Sequence, residues 1–185
     1  MNIELISVIV TILLAMFGYI FTHQQELSLS KRKERLELIN KQLNEFYGPL
    51  YTALRSTQMA QQAFFQNRDM KAQLHKSIET LTDPDEWRLW VKTVFLPLNA
   101  ITEKVILEKA YLIRDEKMPP FLLQFVAHVG AYRALIAQWE QGKTELGVAL
   151  IEFPEEIHEY ATHVYQDLKA EQLELIGQLK RHQRR

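Results

Sequence analysis

From Leu5 to Phe21 the chain runs 17 residues without a charge, and no other feature limits its fold so strongly. The wider stretch Ile3–Phe21, IELISVIVTILLAMFGYIF, holds 15 apolar residues and one charge, Glu4. With Thr22 added it is about 20 residues long. At about 1.5 Å per residue, a helix of that length spans the roughly 30 Å hydrocarbon core of a bilayer. Glu4 then falls at one interface, where a carboxylate stays hydrated. Gly18 and Tyr19 fall near the other, where an amphipathic ring prefers to lie. A cleaved signal peptide would carry a basic start and a small-residue cleavage site. The start has neither Lys nor Arg, and the exit reads Phe21-Thr22-His23-Gln24. A core helix of a globular protein would show a polar face, and none interrupts this run. The expectation is a retained transmembrane anchor over residues 1–23.

The flanks predict its orientation. No cation precedes the span, whereas Lys31, Arg32, Lys33 and Arg35 follow it closely. The positive-inside rule then puts the N-terminus outside and everything after residue 23 in the cytoplasm. The absence of Cys is compatible with that compartment. The four cations are also candidates for contact with anionic headgroups, the alternative being a purely topological role.

The remaining chain reads as all-α. Leu29, Leu36, Leu43 and Leu50 recur every seven residues, with Ile39, Phe46 and Ala53 each three residues after one of them, at the d-type positions. This is a short seam of the coiled-coil kind, broken at Arg32, and it predicts a juxtamembrane helical stalk over 24–47. Gly48-Pro49 is expected to end or kink that helix, since proline removes a donor and crowds the preceding turn. A second helix follows to about Gln66, then a polar connection with a short helix over 70–81. Asp83-Pro84-Asp85-Glu86 is a helix start with an N-cap, an N1 proline and carboxylates at the positive dipole end. The predicted apolar face behind it is Trp87, Trp90, Val91, Val94, Leu98, Ile101 and Val105, with a kink at Pro97. Pro119-Pro120 opens a helix with the stripe Leu122, Phe125, Val126, Val129, Ile136 and Trp139, closed by Gly142. Residues 143–153 read as a loop with one apolar run. Pro154 precedes a last helix carrying Ile157, Ala161, Val164, Leu168, Leu175 and Leu179, with a basic end. The prediction is a cytoplasmic bundle of four to five helices over 48–185.

Composition removes whole classes of chemistry. With no Cys there are no disulfides, thiolate metal sites or cysteine nucleophiles. The six glycines form no phosphate-binding loop, and no G-x-S-x-G elbow occurs. Beyond the anchor the charges balance, 22 basic against 22 acidic (23 less Glu4), so no nucleic-acid partner is expected. Glu155-x-x-His158 has the spacing of one half of a di-iron bundle site, but no second E-x-x-H exists. His158 and His163 point about 140° apart on a helix, so one ion cannot easily use both. No metal, cofactor or catalytic residue is expected. The one candidate pocket gathers Tyr47, Tyr51, His128 and Tyr132 around the two proline segments. Each also has a plain packing role as its alternative.

The run Arg35–Tyr51, containing Asn44-Glu45-Phe46-Tyr47-Gly48-Pro49-Leu50-Tyr51, resembles a segment of a group of bacterial single-pass membrane proteins with a helical cytoplasmic region. Trp87-Arg88-Leu89-Trp90 with Phe95-x-Pro97-Leu98-Asn99, and His128-Val129-x-x-Tyr132, resemble later blocks of that group. The resemblance covers most of the chain after residue 30. It implies the same architecture and an inner-membrane location, and it carries over no catalytic or binding residue. The expected function is a membrane-tethered scaffold, sensor or effector, not an enzyme, with the bilayer and a protein partner or a second copy as partners. Leu29, Leu36, Ile39 and Leu43 are the candidate interaction seam. The alternative is a membrane-anchored enzyme or ligand sensor using the Tyr47, Tyr51, His128 and Tyr132 pocket. A pore-forming component is a weaker third option, since a span without a polar stripe needs several copies to make a pore.

Overall fold

The computed structural model describes residues 3–66, 83–143 and 150–183. The expected helix at 70–81 and most of the apolar run within 143–153 lie outside them. The described chain is all-α, with no strand. It forms four continuous helical runs: α1 (Ile3–Gln42) with α2 (Gly48–Gln66), α3 (Pro84–Trp90) with α4 (Leu96–Lys109), α5 (Pro120–Glu140), and α6 (Glu156–Gln183).

What joins α1 to α2, and α3 to α4, is in each case a five-residue π-turn, Leu43–Tyr47 and Val91–Phe95. Both close on a bond five residues back: Gly48 N–H donates to Leu43 O, and Leu96 N–H donates to Val91 O. In both, the residue directly after the donor is proline, Pro49 or Pro97. Proline has no N–H and its ring collides with the carbonyl four residues earlier. Widening the turn just before it relieves that conflict and lets the helical hydrogen bonding continue. The chain therefore passes through Gly48-Pro49 as helix instead of ending there.

The inserted residue shifts the buried face of α4. Trp87 and Val91 are buried as their spacing predicts, but from the end of the π-turn onward burial falls on Phe95, Asn99, Thr102, Glu103 and Ile106. Ile101, expected in the core, is 49% exposed. One extra residue rotates everything after it by about 100°, and a uniform 3.6-residue template cannot follow that. Two of the polar groups turned inward, Asn99 and Glu103, find partners across the packed pairs α2–α4 and α4–α5. Asn99 Oδ1 lies 3.3 Å from Thr57 Oγ1, and Glu103 forms a two-pronged ion pair with Arg133. Such pairs fix the register of neighbouring helices, because a slip would strand a buried carboxylate.

Other boundaries follow local chemistry. Asp83 caps α3 by accepting from the Asp85 N–H at 3.1 Å, with Pro84 in the first turn. Gly142, at φ +80°, ends α5. Gly142 N–H donates to Trp139 O and Lys143 N–H to Gln138 O, both at 3.0 Å, the paired bonds of a left-handed C-terminal cap.

By contacts the chain divides into two units, residues 41–169 and residues 1–40 with 170–185. The larger unit has an aromatic cluster in which Phe64 meets Trp87, Trp90 and Phe95, backed by Leu135, Ile136 and Trp139. By length and composition alone, α5 is long and apolar enough to cross a membrane. It buries Leu122, Phe125, Val129, Leu135, Ile136 and Trp139 inside this unit, which is how a core helix of a globular body behaves.

In the smaller unit the end of α6 lies along α1. Arg35 forms a bidentate pair with Glu171 at 2.7 and 2.9 Å, and Gln172 Nε2 donates to Asn40 Oδ1 at 2.5 Å. Ahead of these contacts, every side chain from Ile9 to Phe21 is exposed. Phe17 is 77% exposed, Tyr19 71% and Leu14 69%, and they do not share one face.

Candidate functional site

The four residues expected to share a pocket each have their own neighbours in the larger unit. Tyr47 is fully buried by the first π-turn. Its hydroxyl accepts from the Arg114 N–H at 2.8 Å and lies 3.1 Å from the Tyr160 hydroxyl, which donates to Asp115 at 2.6 Å. The Tyr160 proton is thus committed to the carboxylate, and Tyr47 donates to Tyr160. The result is a relay of donors from backbone to carboxylate, in which each bond polarises the next. Burial raises the pKa of both tyrosines, and for Tyr160 the acceptor Asp115 adds to it. Both are held as neutral phenols that tie the 110–115 segment to α6.

Tyr51 stacks flat on Tyr165, centroids 4.7 Å apart. His128 belongs to a third cluster. It is buried, with its ring edge-on to Tyr132 at 4.9 Å and to Phe153 at 5.4 Å. Phe153 in turn stacks on His158 at 5.2 Å. His128 Nδ1 is 2.6 Å from Ile151 O, and a carbonyl can only accept, so Nδ1 carries the proton. One turn earlier on α5, Gln124 donates to Glu152 O at 3.3 Å. Together they pin the segment that leads into α6. Of the expected pocket, His128 and Tyr132 are brought together, and Tyr47 and Tyr51 sit in other clusters. Tyr160, Asp115 and Phe153 are the partners that sequence reasoning missed; no periodic signal marks a tyrosine's hydroxyl partner.

Burial lowers the pKa of His128, the Ile151 carbonyl partly opposing it, and burial likewise lowers that of His158. The consequence for stability has a definite sign. Both imidazoles are neutral in the folded chain, so between their depressed values and the ordinary 6.5 the unfolded chain binds more protons. Their contribution is complete above about pH 6.5 and is lost as pH falls below it. The slope is at most about 1.4 kcal/mol per pH unit per histidine. In urea denaturation the wild-type chain is expected to lose more stability between pH 7.5 and 5.5 than His128→Phe does. Parallel pH dependence of the two would show that His128 does not titrate across unfolding.

No family model, curated protein or solved structure matches this chain.

The expected seam is divided. Ile39 and Leu43 are buried within the chain, and Leu29 and Leu36 are half-buried. Of the cations that follow the apolar segment, Lys31, Arg32 and Lys33 are exposed, whereas Arg35 is engaged with Glu171. Of the residues singled out in the first part of the chain, the apolar start of α1 and the cations just after it remain open to a second molecule. The polar groups of the larger unit are largely turned inward on one another, in Tyr47–Tyr160–Asp115 and Glu103–Arg133.

Proposed function

We propose that the chain is a single-pass protein of the bacterial inner membrane, anchored by residues 3–21 with its N-terminus outside. Its helical body is cytoplasmic and acts as an interaction module, through self-association or by holding a protein partner at the membrane. The observation that carries this reading is the all-round exposure of Ile9–Phe21. Ten large apolar side chains on every face of one helix are not stable against water, and a helix of that kind needs lipid around it. The cations Lys31, Arg32 and Lys33 follow on one side only, which favours the N-out orientation.

An interaction role is favoured over chemistry because His128 Nδ1 and the Tyr47 and Tyr160 hydroxyls are engaged in anchoring neighbouring segments. The body still exposes Leu89, Leu107 and Leu123 at 58%, 63% and 56%, apolar surface that a partner or second copy can cover. Sedimentation of the detergent-solubilised full chain tests this. An oligomer, or a stoichiometric co-purifying protein, is the expected result. A strict monomer that brings nothing with it contradicts the interaction role.

A further inference from the structure

Directly past the apolar segment, α1 presents Gln24, Leu27, Ser28, Lys31, Arg32 and Arg35 at i, i+3, i+4, i+7, i+8 and i+11, a single helical face. With Leu175 of α6 these residues line an open groove of about 520 Å³. No carboxylate lines it. Arg35 is paired with Glu171 on its edge, which holds the two helices together there. Among the described residues Lys31 and Arg32 have no ion pair, so two cations remain for a ligand. Leu27 and Leu175 add apolar surface, and Gln24 and Ser28 add donors.

Position and direction narrow the ligand. At 1.5 Å per residue, Gln24 and Leu27 lie about 5–9 Å beyond Phe21. The headgroup layer on each side of a bilayer is about 5–7 Å deep, so the groove begins within it. Helical side chains lean toward the N-terminus of their helix. Lys31 and Arg32 are therefore directed back toward the bilayer surface, where a phosphate would sit. We propose that this groove binds one anionic phospholipid by its headgroup, the phosphate held by Lys31 and Arg32 as they reach back toward the bilayer, with Gln24 and Ser28 as further donors. The proposal rests on the reading that residues 3–21 cross the membrane.

Native mass spectrometry of the full chain in neutral detergent, titrated with palmitoyl-oleoyl phosphatidylglycerol, phosphatidylcholine or glycerol phosphate, tests it. Phosphatidylglycerol is expected to bind at least about tenfold more tightly than phosphatidylcholine, and glycerol phosphate not to displace it. Each neutralised cation is expected to cost about fivefold in binding, so Lys31→Gln with Arg32→Gln weakens phosphatidylglycerol about thirtyfold. Lys33 lies on the opposite side of α1, and Lys33→Gln is expected to change binding less than twofold. Equal binding of the two lipids overturns the proposal, as does a Lys33→Gln effect equal to that of Lys31→Gln, which means diffuse charge and no groove. Displacement by glycerol phosphate overturns the lipid in favour of a soluble anion. Alkaline carbonate extraction of the membranes from which the chain is purified separates the two readings. Retention without lipid preference removes the groove alone, and release into the supernatant removes the anchor and the lipid with it.

Discussion

Gly48→Ala is expected to destabilise the protein by about 1–3 kcal/mol, the usual cost of forcing a methyl into filled space. For a chain of this size that lowers Tm by about 2–4 °C per kcal/mol. The direction is what makes the result informative. In an ordinary helix interior, replacing glycine by alanine stabilises by about 0.5–1 kcal/mol, because glycine loses more backbone freedom on folding. Gly48 has helical dihedrals, φ −66° and ψ −55°, so no left-handed conformation explains its presence. The reason is the π-turn. Its closing bond brings the Leu43 carbonyl against Gly48, and a Cβ there would run into that oxygen. Backbone on both sides leaves nothing flexible to give way. Gly130 in α5 is the internal control: a Cβ built there meets nothing within 4 Å. Gly130→Ala is expected to stabilise the chain and Gly48→Ala to destabilise it, in the same thermal or urea unfolding experiment. Two substitutions with the same sign and size would mean that residues 43–47 do not form a π-turn.

The π-turns also mark where sequence reading reached its limit. The helix starts at Asp83-Pro84 and Pro119-Pro120 were legible because capping and proline chemistry act over one turn. So was the end at Gly142, and so was most of the α5 stripe, which runs without interruption. The face of α4 was not. Its apolar pattern continues the phase set by Trp87 and Val91, and nothing in the residues announces that the phase is about to shift. A proline preceded by a buried aromatic, as in Phe46-Tyr47-Gly48-Pro49 and Phe95-Leu96-Pro97, is compatible with a helix end, a kink or a π-turn. Once the shift is known, Asn99, Thr102 and Glu103 become core positions and Ile101 a surface one. Long-range polar pairs were illegible for a different reason. Arg35 with Glu171 and Glu103 with Arg133 are 136 and 30 residues apart, and a charge-balanced helical chain offers many equivalent pairings. The expected pocket failed as a unit on the same ground, since Tyr47 and His128 each met partners from segments that periodicity does not align.

The second large effect concerns residues 3–21, and the chain's lack of cysteine makes it accessible to a clean measurement. Any introduced thiol is the only one, so labelling by a membrane-impermeant maleimide reports one position at a time. Asn2 precedes the apolar segment, and Glu108 is an exposed position near the end of α4 in the helical body. A span with its N-terminus outside places these two residues on opposite faces of a barrier that costs about 2.5–3.5 kcal/mol for each charged side chain left at its centre. The proposed orientation rests on Lys31, Arg32, Lys33 and Arg35 on one side against no cation on the other. In spheroplasts, Asn2→Cys should label fully and Glu108→Cys should label only after the membrane is broken. Labelling of both positions in intact spheroplasts, or of Glu108→Cys alone, would contradict a single-pass protein with a cytoplasmic body.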